Sequence, residues 1–175
     1  MKNQLVLTCR ALTVFVLALL FTVNASAQDA KPAASPADSV SGKIGSANVS
    51  ISYSSPSVKG RKIWGELVPY NQVWRAGANA ATTFTTDKAV KVEGKELPAG
   101  TYALFTIPTE SSWTIIFNKS AKQWGAYKYD QTQDALRVTV QPKKSASSAE
   151  RLKYVLNKKG FELHWENLVV PVSVK

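Results

Sequence analysis

The sequence contains very little cysteine and histidine. Among its 175 residues there is one Cys, at position 9, and one His, at position 164. A disulfide needs two thiols, and a protein zinc site needs three or four Cys, His or carboxylate ligands. The composition therefore excludes disulfide-stapled scaffolds and multi-histidine metalloenzymes, and we predict no metal site and no other cofactor.

Long apolar runs are also scarce. The longest covers residues 11–23, and its 13 residues are fewer than the roughly 20 that a membrane-spanning helix needs. Basic residues precede this run and the small residues Ala-Ser-Ala follow it, which predicts a secretory signal peptide over residues 1–27, cleaved between Ala27 and Gln28. We expect an exported protein, periplasmic or extracellular, with no transmembrane segment and no cysteine after cleavage, since Cys9 leaves with the signal.

Acidic residues are outnumbered, with 12 Asp and Glu against 22 Lys and Arg, for a formal net charge of +10. In a cytosolic protein this excess would suggest a nucleic-acid partner. No nucleic-acid-binding motif is present and export is predicted, so we expect no nucleic-acid partner. The charge favours solubility, or weak attraction to anionic polymers of the cell envelope.

The sequence has no convincing helical stripe, and its apolar residues alternate with polar ones in twos instead. Turn signals, for example at residues 93–95 and 158–160, separate the alternating stretches. Eight to ten short strands predict an all-β fold over residues 46–175, an antiparallel β-sandwich that is jelly-roll-like. Residues 147–155 are expected to form at most a turn or two of helix. The Ala-, Pro- and Ser-rich residues 28–45 predict a flexible tether.

The richest candidate site is the segment of residues 61–83, which Gly and Pro interrupt and which we expect to be a long structured loop. Its aromatic, charged and amide side chains are typical of a ligand pocket. The candidate binding residues are Trp64, Glu66, Tyr70, Trp74, Arg75 and Asn79. The alternative is a structural corner, in which Arg75 stacks on Trp and pairs with Glu66.

A second candidate loop, residues 124–130, carries Trp124 and Tyr127 between two predicted strands. Aromatic side chains on an exposed loop indicate either a binding surface or a lid over the first loop. The alternative is that Trp124 and Tyr127 close one open end of the sandwich. We include both residues among the candidate binding residues.

Catalytic constellations are weak. His164 lies on a strand between Glu162 and Glu166, on the outward face, where a solvated histidine is expected. The two glutamates are four residues apart, roughly 13 Å along a strand, which exceeds the ~5 to 9.5 Å of glycosidase carboxyl pairs unless a bulge intervenes. A hydrolase would need Glu66 in a desolvated pocket with Arg75 stabilising a developing anion. We assign no catalytic residue.

Several motifs resemble those of a family of secreted bacterial domains, domain of unknown function 2911. They are RKIWGELVPYNQVWRAGAN at 61–79, LPAGTYALFTIP at 97–108, WTIIFN at 113–118 and WGAYKYD at 124–130. The resemblance extends from about residue 49 to the end of the sequence. It implies an exported β-domain, and it implies neither a reaction nor catalytic residues.

The sequence as a whole favours a non-catalytic binding module for a small polar or carbohydrate-like ligand. The alternative is a structural or protein-interaction domain of the cell envelope, and a hydrolase that uses Glu66 is the least favoured interpretation. The expected partner is accordingly a small polar or carbohydrate ligand, or a component of the envelope.

Overall fold

The computed structural model describes residues 33–175. The signal peptide predicted for residues 1–27 lies outside the described residues, as does the first part of the predicted tether. Ten strands and one short 3-10 turn, Gln131–Gln133, make up the regular structure of these described residues. In this part of the chain, no helix has the length and apolar character that crossing a membrane requires.

All strand pairs are antiparallel, and the all-β fold that the alternating sequence pattern predicts is confirmed. In chain order the strands are β1 (Ala37–Ile44), β2 (Ala47–Ser54), β3 (Thr82–Thr86), β4 (Val90–Val92), β5 (Lys95–Leu97), β6 (Gly100–Pro108), β7 (Trp113–Asn118), β8 (Asp134–Val140), β9 (Lys143–Asn157) and β10 (Gly160–Ser173).

Six strands form the larger sheet, in the order β1-β2-β3-β6-β7-β8. A long β9–β10 hairpin and a short β4–β5 hairpin lie on the other side of the core, and Val92 of β4 bridges to Val174 just beyond β10. The hairpin turns expected at residues 93–95 and 158–160 join these strand pairs. The predicted antiparallel β-sandwich is thus confirmed.

The core lies between the two layers because every second side chain of a strand points to the same face. Phe84 of β3 is fully buried, and its ring centroid lies 5.1 Å from that of Phe117 in β7 and 5.8 Å from that of Phe161 in β10. Burying one such side chain contributes about 1.5–3 kcal/mol. The larger sheet and the β9–β10 hairpin are therefore stabilised mainly by contact with each other.

The domain begins earlier than the sequence predicts. Residues 37–44, inside the segment expected to be a flexible tether, form β1 and pair along their whole length with β2. Only Ile44 of this strand is buried, so the Ser-, Gly- and Lys-containing sequence shows no alternating apolar pattern. Backbone pairing with β2 stabilises β1, and no pattern of side chains in the sequence predicts this strand.

The β9–β10 hairpin is bent by irregular pairing. Between the pairs His164↔Lys153 and Glu166↔Ala149, β10 advances two residues while β9 advances four, and a second shift follows. Such bulges bend a strand pair and increase its twist. The expectation of a helical turn within residues 147–155 is wrong, because β10 pairs with this stretch and Leu152 and Tyr154 enter the core at a spacing of two.

Candidate functional site

The first candidate loop turns its two tryptophans inward. Trp64 and Trp74 are each only 8% exposed. Two backbone hydrogen bonds fix Trp74 against β6, because its N–H donates to the Thr106 carbonyl at 2.7 Å and the Thr106 N–H donates back at 2.8 Å. This pairing draws the loop onto the sheet, and the indoles pack in the core beneath it.

Four tryptophans from different parts of the chain form one buried group, which we call the tryptophan cluster: Trp64, Trp74, Trp113 and Trp165. The Trp64 and Trp113 ring centroids are 5.0 Å apart at an interplanar angle of 65°. Trp74 stacks on Trp165 at 5.8 Å and 15°. Edge-to-face and offset-stacked pairs are each worth about 0.5–1.5 kcal/mol beyond area burial. The cluster therefore joins the first loop, β7 and β10 into one core.

Glu66 lies at the surface of the first loop. Its side chain is 62% exposed and forms an ion pair of 3.1 Å with Lys62. The alternative pairing with Arg75 is wrong, since Glu66 is held by the neighbouring lysine. A general acid or base acts from an enclosed position beside its substrate. The exposed setting of Glu66 gives the hydrolase hypothesis no support.

The other predicted residues of the first loop are partly buried or dispersed. Tyr70 is half-buried and packs against the main core. Arg75 is half-buried, and its Nε has no hydrogen-bond partner among residues 33–175. Asn79 is exposed, and its amide nitrogen lies 3.4 Å from the Ser54 hydroxyl. The structure therefore gathers Trp64 and Trp74 inside the fold and leaves Glu66 and Asn79 at its surface.

The second candidate loop presents its aromatic side chains to solvent. We call residues 119–133, between β7 and β8, the aromatic loop. Trp124 is 66% exposed and Tyr127 is 87% exposed, so neither residue closes the end of the sandwich. The Tyr127 ring lies over Gly125, where a Cβ atom would come within 2.8 Å of the ring and where φ is +66°. Only glycine fits this position without strain.

The aromatic loop is attached to the end of the first loop. Ala80 and Trp124 form an antiparallel bridge. The Ala81 N–H donates to the Gln123 carbonyl at 3.0 Å, and the Gly125 N–H donates to the Asn79 carbonyl at 3.0 Å. The aromatic loop therefore lies beside the first loop, and it is not a lid over the tryptophan cluster.

Polar contacts centred on Asp134 hold the aromatic loop in place. One carboxylate oxygen accepts from Asn118 Nδ2 at 2.8 Å, and the other accepts from the Tyr129 hydroxyl and from Arg137 Nε, both at 2.6 Å. The Arg137 guanidinium also donates to the Tyr129 oxygen. Burial and the hydrogen bond to Asp134 raise the pKa of Tyr129, so its hydroxyl stays protonated as a donor.

Apolar packing adds to this attachment. The Tyr129 ring lies 5.1 Å from that of Phe105, edge to face, on the outer side of the larger sheet. Ala126 packs against the same small apolar cluster, which includes Ala103 and Ile116. The aromatic loop is thus fixed from beneath by Tyr129, while Trp124 and Tyr127 remain accessible.

Hydroxyl side chains cover the outer side of the larger sheet next to this loop. Residues that are paired directly across strands lie on the same face. Two cross-strand rows, which together we call the hydroxyl face, are Ser41–Ser50–Thr85–Thr101 and Ser39–Ser52–Thr83. Thr83 pairs with Ala103, which the aromatic loop covers, so the hydroxyl face and the aromatic loop share a border.

A shallow groove of about 450 Å³ lies at one end of the hydroxyl face, where Ser41, Ser50 and Thr85 of the first row line it. The Asp87 carboxylate at its side accepts from the Asn48 backbone N–H at 2.7 Å and from the Asn48 amide at 2.5 Å. These hydrogen bonds lower the pKa of Asp87, which stays ionised as an acceptor. The sequence analysis does not identify this surface. Ser50, Ser52 and Ser54 at every second position of β2 indicate it, whereas β3 has Thr at four of its five positions and shows no alternation.

The carboxylates near His164 do not form a catalytic pair. A bulge does lie at Glu166, which has a φ of +52°. Glu162 bonds to His164 Nε2 at 2.8 Å and to Asn157 Nδ2 at 3.1 Å, and it lines a cleft that Glu166 does not reach. Among residues 33–175, moreover, no three His, Cys, Asp or Glu side chains come together as metal ligands.

Comparison with known proteins gives a family. None of the curated proteins matches the chain, and none of the solved structures does. A family model matches residues 35–174, from just before β1 to just after β10, and it therefore spans the whole sandwich. The chain belongs to the family described as "Protein of unknown function (DUF2911)".

Proposed function

We propose that the protein is an exported, non-catalytic module that binds a carbohydrate ligand on the surface formed by the aromatic loop and the hydroxyl face. Trp124 and Tyr127 stack on sugar rings, and the Ser and Thr rows exchange hydrogen bonds with sugar hydroxyls. The signal-peptide features of residues 1–27 support export, because a module of this kind meets glycans outside the cytoplasm.

The observation that carries the proposal is the exposure of two large aromatic side chains on a fixed loop. Binding costs about 0.5–1.5 kcal/mol for each flexible side chain that it immobilises, and loop ordering adds to that cost. Rigid aromatic side chains supply large contact area at low entropy cost. The attachment through Asp134 and Tyr129 keeps the loop ordered before a ligand arrives.

The hydroxyl face supports a carbohydrate over a protein partner. The buried centre of a protein interface is enriched in aromatic residues, Met and Arg and depleted in Ser. Here the two aromatic side chains border rows of Ser and Thr, which are donors and acceptors at once. Strands about 4.8 Å apart repeat these hydroxyls across the sheet, which suits a ligand with repeating hydroxyl groups.

The test is retention of the purified protein on a panel of insoluble glycans, namely peptidoglycan, chitin, cellulose and xylan. We expect retention on at least one of them, and at least tenfold weaker retention for Trp124→Ala and for Tyr127→Ala. Leu67→Ala is the matched control, because Leu67 is an exposed apolar residue, 44% exposed, on the first loop. Retention on none of the glycans, or retention unchanged by both aromatic substitutions, would contradict the proposal.

A further inference from the structure

A basic cleft of about 880 Å³ lies at the other end of β7 from the aromatic loop. Ser112, just before β7, lines the cleft, whereas the aromatic loop follows the last residue of β7. Six residues separate the two places along the strand, roughly 20 Å at about 3.3 Å per residue. The cleft is therefore independent of the carbohydrate surface proposed above.

The bent β9–β10 hairpin builds this cleft by folding back on itself. The Val174 N–H donates to the Lys159 carbonyl at 2.8 Å, so the end of β10 pairs beside the turn where β10 begins. A Cβ atom on Gly160 would lie 2.0 Å from the Val172 carbonyl oxygen. This close approach requires glycine, and it brings the turn lysines, Lys158 and Lys159, to the same cleft as Lys143 at the start of β9.

The cleft carries more positive than negative charge, because four lysines line it, Lys143, Lys158, Lys159 and Lys175, against the two glutamates Glu93 and Glu162. Of the two glutamates that line it, Glu93 accepts the Ser173 N–H at 2.6 Å, and Glu162 is engaged by Asn157 and His164. None of the four lysines lies within ion-pair distance of a carboxylate among residues 33–175. Like charges that line a concave surface focus the electrostatic field and attract ions of opposite sign.

The chemistry of the lining selects among anions. The cationic side chains that line the cleft are all lysines, and neither arginine nor histidine is among its lining residues. Arginine holds carboxylate and phosphate alike with two parallel hydrogen bonds, whereas lysine acts as a compact point charge, so a lining of lysines alone suits a ligand of high charge density such as phosphate. Val140, Phe161 and Val172 lie beneath the cleft, and because each is at most 7% exposed they offer a ligand only a narrow apolar contact.

We propose that this cleft binds a ligand carrying two or more phosphate groups, of about the size of a sugar bisphosphate. Its volume falls within the range of about 300–1,000 Å³ that is usual for small-molecule sites. Lys143, Lys158, Lys159 and Lys175 neutralise the phosphates. The source of the phosphates is either a soluble phosphorylated sugar or the headgroup of an anionic lipid.

The test is isothermal titration calorimetry of the full protein with sodium tripolyphosphate and with glucose 1,6-bisphosphate, at constant ionic strength. Lys158→Gln/Lys159→Gln is compared with Lys119→Gln/Lys122→Gln, a control with the same net charge whose substitutions lie in the aromatic loop. We expect at least tenfold weaker binding for the cleft variant and a change within twofold for the control. Lys143→Gln, on a different strand from the turn, should also weaken binding by about threefold or more.

Two results would overturn this proposal. One is equal weakening in both double variants, which would reflect net charge alone, and the other is binding of neither phosphate. Vesicles of phosphatidylglycerol, with phosphatidylcholine vesicles as the control, distinguish the sources. Vesicle binding that tripolyphosphate displaces and that the cleft variant loses indicates a lipid headgroup, and binding of glucose 1,6-bisphosphate without vesicle binding indicates a soluble sugar phosphate. Neither result depends on Trp124, so the carbohydrate proposal succeeds or fails separately.

Discussion

The tryptophan cluster and the aromatic loop are alike in composition and opposite in role. Trp64 and Trp74 of the cluster lie in a loop segment that contains glycine, as Trp124 and Tyr127 of the aromatic loop do. In the first loop, pairing of Trp74 with Thr106 of β6 draws the indoles into the core. In the second loop, Tyr129 and Asp134 make the attachment, and Trp124 is left outside. Aromatic density alone therefore does not identify a binding surface, and the residues that attach each loop decide which aromatic side chains stay free.

The largest effect in this comparison should come from Trp74→Ala. Removing a large buried aromatic side chain costs about 3–5 kcal/mol, and Trp74 contacts three other tryptophans of the cluster. We expect the free energy of unfolding, measured by urea denaturation, to fall by that amount. A loss below about 1 kcal/mol would mean that the cluster does not hold the two layers together.

A smaller effect should follow from Asp134→Ala, which breaks the attachment of the aromatic loop. The substitution leaves Asn118, Tyr129 and Arg137 without their shared acceptor, and an unsatisfied buried group costs about 1–3 kcal/mol. Hydrogen exchange should become faster within residues 119–133 and stay unchanged in β2 and β3. Asp130→Ala, which removes only two exposed hydrogen bonds from Thr132, is the matched control. Unchanged exchange in the loop would show that Asp134 does not fix it.

Trp124→Ala should have almost no effect on stability. Substitutions of exposed side chains usually change the free energy of unfolding by less than about 0.5 kcal/mol. Set beside Trp74→Ala in the same urea experiment, this variant sharpens the contrast between an internal and an external tryptophan. A fall of about 2 kcal/mol or more in the free energy of unfolding is typical of core substitutions, and it would place Trp124 in the core instead.

Alkaline pH should gradually lower the free energy of unfolding through two buried core residues, Tyr53 and Tyr154. Burial, together with a hydrogen bond to Asp38, raises the pKa of Tyr53 to about 12, and burial raises the pKa of Tyr154. Because the folded state holds these protons more tightly than the unfolded state, their contribution is complete below about pH 10 and is lost as the pH rises through the folded pKa. Urea denaturation between pH 9 and 12 should show this decline, and Tyr53→Phe should reduce it. An identical decline in Tyr53→Phe would show that Tyr53 does not contribute.

Much of the fold is readable from the sequence because strands with one buried face alternate in twos. The alternation of Val49, Ile51 and Tyr53 predicts β2, and the turn residues predict the β4–β5 and β9–β10 hairpins. The strand β1 is not readable, because only Ile44 among its eight residues is buried and its stability comes from pairing with β2.

The candidate sites depend on contacts between distant parts of the chain. The burial of Trp64 and Trp74 requires β6, β7 and β10 to be in place, so local sequence cannot separate them from Trp124 and Tyr127. The basic cleft requires the bulges near Glu166, which bring Lys143 beside Lys158 and Lys159. The hydroxyl face is readable only in part, since the alternate Ser residues of β2 predict a polar face, whereas the Thr residues of β3 occupy both faces of the sheet.

The most direct test of the account uses the five tryptophans as separate probes. In ¹⁵N-labelled protein each indole N–H gives its own NMR signal, and Trp124→Phe identifies the signal of Trp124. The protein is then titrated with soluble oligosaccharides of the glycan that retains it. We expect the Trp124 signal to shift and the four signals of the tryptophan cluster to stay in place. A shift of the cluster signals with the Trp124 signal unmoved would contradict it.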